Sequence, residues 1–279
     1  MPIYLLIACL NKSKNEKQPD EMKGPVMEKL YKPGTGWKLI WADEFKGDQI
    51  NIENWNLQVE KAGRFNDEWQ KYTDSRKNAY VKDDCLVIKA IHESEDHGMN
   101  QYSSARINSA KKMTWKYGKI AARIKLPYGP GIWPAFWMLG ANINENGGDT
   151  PWPQCGEVDI LELYGSKDDS VVEGNIHFAD ASGNHASMGA VSYRLEKGKF
   201  SDSFHLFELM WTPEKFTWLV DGNEYASTSI SSQEMSEFQR EFFILFNLAV
   251  GGTYAGRPNQ TTPFPQFMYI DWVRIYQKE

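Results

Sequence analysis

Three carboxylates fall within six residues in Glu157-Val158-Asp159-Ile160-Leu161-Glu162, and every residue between them is aliphatic. Val, Ile and Leu around acids read as a strand. Side chains alternate in a flat strand, so Glu157 and Asp159 share one face. Glu162 lies five residues from Glu157 and points to the opposite face. If all three acids serve one site, the strand must hold an extra residue, a β-bulge, between Asp159 and Glu162. Two carboxyls on one face suit glycoside hydrolysis, one as acid and the other as nucleophile or base. Retaining enzymes hold them about 5–5.5 Å apart and inverting enzymes about 6.5–9.5 Å. Four strand steps span roughly 13 Å at ~3.3 Å each, so side chains must lean inward and the sheet must curve. Asp159 between them can hydrogen-bond Glu157 and keep the acids in different protonation states. The competing reading is a polar edge strand with its acids in water, and spacing alone leaves both readings open.

A second segment, Gly131-Ile132-Trp133-Pro134-Ala135-Phe136-Trp137-Met138-Leu139, puts Trp133 and Trp137 on one face of a strand. Indole faces suit the apolar face of a pyranose, while packing in a large β core explains them equally well. Pro134 marks an edge, an end or a bulge. The loop 140–155 feeds the acid strand, and Trp152 within it is placed to line the cleft entrance. Arg106 in Ser104-Ala105-Arg106-Ile107 reads as a core-edge ion-pair former, or as a donor fork beside the acids.

The elements that must position these residues are short strands. Trp37–Phe45, Tyr80–Lys82, Leu86–Ala90, Gly118–Leu126, His205–Trp211, Phe216–Val220, Phe242–Val250 and Tyr269–Tyr276 all read this way. Turns fall at Asp83-Asp84 and Asp221-Gly222, the latter a strong hairpin signal. In Gly118–Leu126, Ile120, Ala122, Ile124 and Leu126 face in, while Lys119, Arg123 and Lys125 face out, which predicts a half-buried antiparallel strand. Ser231-Ser232-Gln233-Glu234 is a capping-box pattern opening a short helix to about Gln239. Many strands, regular turns and one helix predict an all-β antiparallel sandwich.

The chain has 279 residues, 14% of them aromatic, which is ample for one well-buried domain over 36–279. The net charge of −6 argues against nucleic acid and polyanionic partners. No apolar run is long enough to span a bilayer. Three cysteines cannot make a disulfide framework, and spacing shows no zinc pattern. Cys85 and Cys155 read as buried free thiols, with a bridge between them as the alternative. Residues 1–35 differ: an apolar start ends at Cys9, followed by a polar tether. Leu6-Ile7-Ala8-Cys9 resembles the lipobox of bacterial lipoprotein signal peptides, although no Lys or Arg precedes it. That resemblance predicts export, with any membrane attachment through a lipid on Cys9.

Cys155-Gly156-Glu157-Val158-Asp159-Ile160-Leu161-Glu162 resembles the Glu-x-Asp-x-x-Glu signature of glycoside hydrolase family 16, in its laminarinase-like branch. The likeness runs from Trp37 to Gln277 and includes Trp-Pro-Ala-Phe-Trp-Met-Leu and Asn-Leu-Ala-Val-Gly-Gly. It implies a concanavalin-like jelly roll whose concave sheet forms an open cleft. It also implies a retaining reaction with Glu157 as nucleophile, Glu162 as acid/base and Asp159 as their assistant. It turns Trp133 and Trp137 toward substrate, gives Asn66 of Asn66-Asp67-Glu68-Trp69-Gln70 a sugar contact, and places His177 near the sugar. No catalytic cofactor is implied. A structural Ca²⁺ on the convex side, held by Glu44 and Asp271, is implied in many relatives, and a salt-bridged pair of surface acids is the alternative. The expected partner is a polysaccharide, met by a monomer. The expected substrate is β-1,3-glucan, with mixed-linkage β-glucan, agar or porphyran galactans, and non-catalytic glucan binding as the alternatives.

Overall fold

Alternation of apolar and polar residues builds two facing sheets in a computed structural model that describes residues 31–94, 99 and 101–279. Cys9 and its neighbours lie outside the described residues. Pro33–Glu279 form one compact unit. One sheet has ten strands. Its order is β16 (Asn223–Ser229), β15 (Lys215–Val220), β14 (His205–Trp211), β8 (Gly118–Lys125), β18 (Gln266–Lys278), β5 (Cys85–His92), β6 (Tyr102–Ser104) and β3 (Gln70–Tyr72). Beside this path, β1 (Trp37–Asp43) pairs with β18, and β4 (Ala79–Lys82) pairs with β5. The other sheet has eight strands. Its order is β12 (His185–Ser187), β11 (Val171–Ala179), β10 (Glu157–Glu162), β9 (Ile132–Gly140), β17 (Phe242–Val250), β7 (Arg106–Asn108) and β2 (Asn56–Leu57), with β13 (Val191–Arg194) beside β11. Among the described strand ladders only β3 with β6 is parallel. The architecture is the antiparallel sandwich that the strand pattern predicts, with the jelly-roll form that the resemblance implies.

The core lies between the sheets. Ile120, Ala122 and Ile124 of β8 and Leu209 of β14 meet Phe136, Met138, Val158 and Ile176 of the second sheet. Each of these fully buried side chains other than Ala122 contributes roughly 1.5–3 kcal/mol. Two hairpins close on residues with positive φ: Asp83 (52°) and Asp84 (58°) between β4 and β5, and Asp221 (51°) and Gly222 (79°) between β15 and β16. Positive φ at both central residues matches the right-handed strand twist and fixes register.

Three expectations change in the structure. β8 is buried on both faces rather than one. Arg123 on its outward face pairs with Asp271 at 2.7 Å and lies 4.4 Å from the Phe204 ring, and Lys119 lies 3.5 Å from Glu208. Charges neutralised by neighbouring strands can be covered, which a count of one strand's polar residues does not reveal. The segment after Ser232 is a 3-10 helix, Gln233–Gln239, with no side-chain cap bond and a non-helical Met235. Burial of Phe238 holds it in place of the capping box. Lastly, Glu44 and Asp271 do not fit a calcium cage between them. Arg274 grips both oxygens of Glu44 at 2.6 and 2.8 Å, and Arg123 takes Asp271. A bidentate guanidinium already neutralises the carboxylate a cation would need. Cys85 and Cys155 form no disulfide, and both thiols are buried.

Candidate active site

The extra residue that the acid spacing demands is present in β10. On β11, Glu157 and Glu162 face His177 and Glu173, which are four steps apart. On β9 they face Leu139 and Ala135, again four steps apart, while β10 takes five. Four is even, so the neighbours place both glutamates on one face. The surplus sits at Ile160-Leu161, two adjacent residues that both enter the core. Val158, Ile160 and Leu161 anchor the strand from beneath, and the bulge turns Glu162 up beside Glu157 and Asp159.

These acids floor a cleft of about 550 Å³ on the second sheet. All nine residues that the sequence assigns to catalysis or sugar contact line it: Asn66, Arg106, Trp133, Trp137, Trp152, Glu157, Asp159, Glu162 and His177. Their contacts differ from simple stacking platforms. Trp133 is 6% exposed, packs on Tyr164 and Tyr254, and donates its indole N–H to Glu162 Oε1 at 2.8 Å. Trp137 donates to Asn247 Oδ1 at 2.7 Å. The Arg106 guanidinium lies between the Trp137 ring (4.7 Å) and the Phe65 ring (4.4 Å) and donates through Nε to Gln58. Its flat face thus packs between two rings, and its charge also opposes the rise of the buried Glu68. Asn66 adopts positive φ (48°), and its carbonyl accepts the Thr253 N–H at the cleft wall.

Two side chains complete the acid cluster without having been foreseen. Tyr164 donates its hydroxyl to Glu162 Oε2 at 2.8 Å. Period two beyond Glu162 puts Tyr164 on the cleft face, so that signal was readable. His185, on the three-residue strand β12, brings Nε2 within 2.8 Å of His177 Nδ1 and packs against Trp152. Nothing in its polar surroundings marks it. His177 Nε2 in turn lies 3.1 Å from Asp159 Oδ2.

Burial pushes all three carboxyls up. Asp159, 2% exposed, is pushed well up, by desolvation and then by the charge of Glu162. Desolvation and then Asp159 raise Glu157 to about 8, while His177 and the Trp152 N–H oppose the rise. Glu162 is raised by burial and held back first by the Tyr164 hydroxyl and then by the Trp133 N–H. Thus burial raises Glu162, while the indole N–H beside it favours the charged form. An ionised Asp159 would likewise discourage charge on Glu157. A hydrogen bond with Glu157 opposes the rise of Asp159, and a proton held on Asp159 would leave Glu157 free to ionise. A protonated Glu162 can still accept from Trp133 and Tyr164 while its own O–H faces the cleft.

The sequence profile of Glycosyl hydrolases family 16 matches residues 65–274. A glucan endo-1,3-beta-glucosidase A1 of Niallia circulans is 33% identical over 267 residues, which are 88% of this chain and 38% of that protein. The chain thus spans less than half the length of that relative. A glucan endo-1,3-beta-glucosidase of Cryptopygus antarcticus is 38% identical over 232 residues, covering 79% of this chain and 83% of that one. The catalytic domain of an endo-1,3-beta-glucanase (laminarinase) from Thermotoga petrophila superposes with a TM-score of 0.77 at 41% identity, over 87% of this chain and 98% of that chain. With its profile match across most of the sequence and its bulged acid strand facing a cleft, this chain belongs to glycoside hydrolase family 16.

Proposed function

We propose that the protein cuts β-1,3-glucan internally, with retention of anomeric configuration. The observation that carries this is the register of β10, which turns Glu157 and Glu162 to the same cleft. The names of the glucanase relatives support the linkage. Ionised Glu157 attacks the anomeric carbon, and a carbon–oxygen bond to the enzyme forms as the glycosidic bond breaks. Glu162 passes its proton to the leaving oxygen. The shortened sugar chain departs, and Glu162, now a carboxylate, takes a proton from water. That water attacks the same carbon and frees Glu157. Trp133 and Tyr164 orient Glu162, and Trp152 orients Glu157. No catalytic cofactor enters.

A reducing-sugar assay across laminarin, lichenan and agarose tests this reading, with Glu157→Gln as control. Laminarin should be cut fastest, and the variant should cut none of the three. Preference for lichenan or agarose would reassign the substrate, and an active Glu157→Gln would remove the nucleophile.

Export belongs to the same reading, because a polymer of this kind is met outside the cell. Its support is the likeness of Leu6-Ile7-Ala8-Cys9 to a lipobox. Among the described residues no helix is long and apolar enough to cross a membrane. The protein would act as a monomer, tethered through Cys9, and mass analysis of Cys9 from host membranes would reveal or exclude the lipid.

A further inference from the structure

A bulge leaves one residue outside the ladder, and nothing in β10 alone fixes where along the strand that residue sits. Moving it by a few positions would reverse the face of every residue passed, Asp159 or Glu162 among them. Trp218 lies on β15, in the opposite sheet, and is fully buried. Its indole N–H crosses the core and donates to the main-chain carbonyl of Asp159 at 2.8 Å, immediately before the surplus residue. A carbonyl bonded from the core has turned out of the plane of its sheet, and it would be costly to bury without that donor.

Two further features shape this contact. Gly174 on β11 lies over the indole, and a Cβ there would stand 2.7 Å from Trp218 Cδ1 and 2.9 Å from Nε1. The ladder of β15 with β16 is itself irregular at Trp218, where Trp218 faces Ala226 but Leu219 faces Glu224, leaving Tyr225 surplus. An irregularity in each sheet thus flanks one indole. We propose that Trp218 is a positioning residue for catalysis: its bond to the Asp159 carbonyl pins the bulge and thereby aims Glu162 at the leaving oxygen.

The inference rests on the acid/base role given above to Glu162, and two variants test it. Trp218→Phe removes the donor and keeps most of the volume. Gly174→Ala leaves the indole intact but displaces it. Laminarin needs a proton from Glu162, whereas the burst of dinitrophenolate from a dinitrophenyl β-glucan oligosaccharide needs only Glu157. Each variant should lower kcat on laminarin about tenfold, the effect of one hydrogen bond. KM and the burst rate should stay within about twofold, because binding and the nucleophile are untouched. Amide exchange should quicken over 157–164 and stay unchanged on β17. Equal losses on both substrates, or unchanged exchange over 157–164, would overturn the proposal. A wild-type protein inactive on every glucan would instead remove the functional reading, and the exchange measurement would still decide whether Trp218 pins the bulge.

Discussion

Trp152 donates its indole N–H to Glu157 Oε2 at 2.8 Å from a loop position that leaves the ring 43% exposed. A residue of the cleft rim therefore reaches the carboxylate at the floor. Trp152→Phe should keep the fold and lower kcat/KM on laminarin roughly tenfold or more, since a hydrogen bond to a charged group contributes about 1.5–3 kcal/mol. That donor also holds the Glu157 pKa down. Its loss should move the acidic limb of the pH profile upward, and a limb that stays in place would separate Trp152 from the ionisation of Glu157.

Stability should carry the opposite signature from activity. Burial raises Glu157 from 4.5 to about 8. A carboxyl raised by folding stabilises the fold while protonated; that contribution is complete below pH 4.5 and lost as pH climbs through about 8. Glu157→Gln is neutral throughout. It should melt with the wild type below pH 4.5 and above the wild type in temperature beyond pH 8. A variant that melts lower across the whole range would mean that the carboxylate is structural.

The two glutamates should respond differently to azide. Glu162→Ala, given a dinitrophenyl substrate, keeps the nucleophile and should be accelerated by azide to yield the β-glycosyl azide. Glu157→Ala should give the α-glycosyl azide, because azide then enters from the vacated face. Product stereochemistry by NMR checks both, and interchange of the two products would exchange the roles.

Much of this site was legible in the residues themselves. The five-residue spacing of Glu157 and Glu162 demanded a bulge, and Asp221-Gly222 marked its hairpin, because both signals are local. Tyr164 needed only period two to be found. His185 and Trp218 were hidden, since their roles arise from strands brought together by the fold. The outward charges of β8 misled for the same reason: their partners, Asp271 and Glu208, come from strands far along the chain. The capping box failed because burial of Phe238, rather than the local cap, decides the shape of that turn.

The most direct test of the opposed carboxylates is the anomer formed first. Proton NMR of fresh wild-type protein acting on laminarin should show the β-anomeric signal first, with the α signal growing later by mutarotation. Retention requires the nucleophile and the acid to be close, and the bulge in β10 turns both to one face. An α anomer appearing first would mean inversion through a more widely separated pair, and would contradict the account.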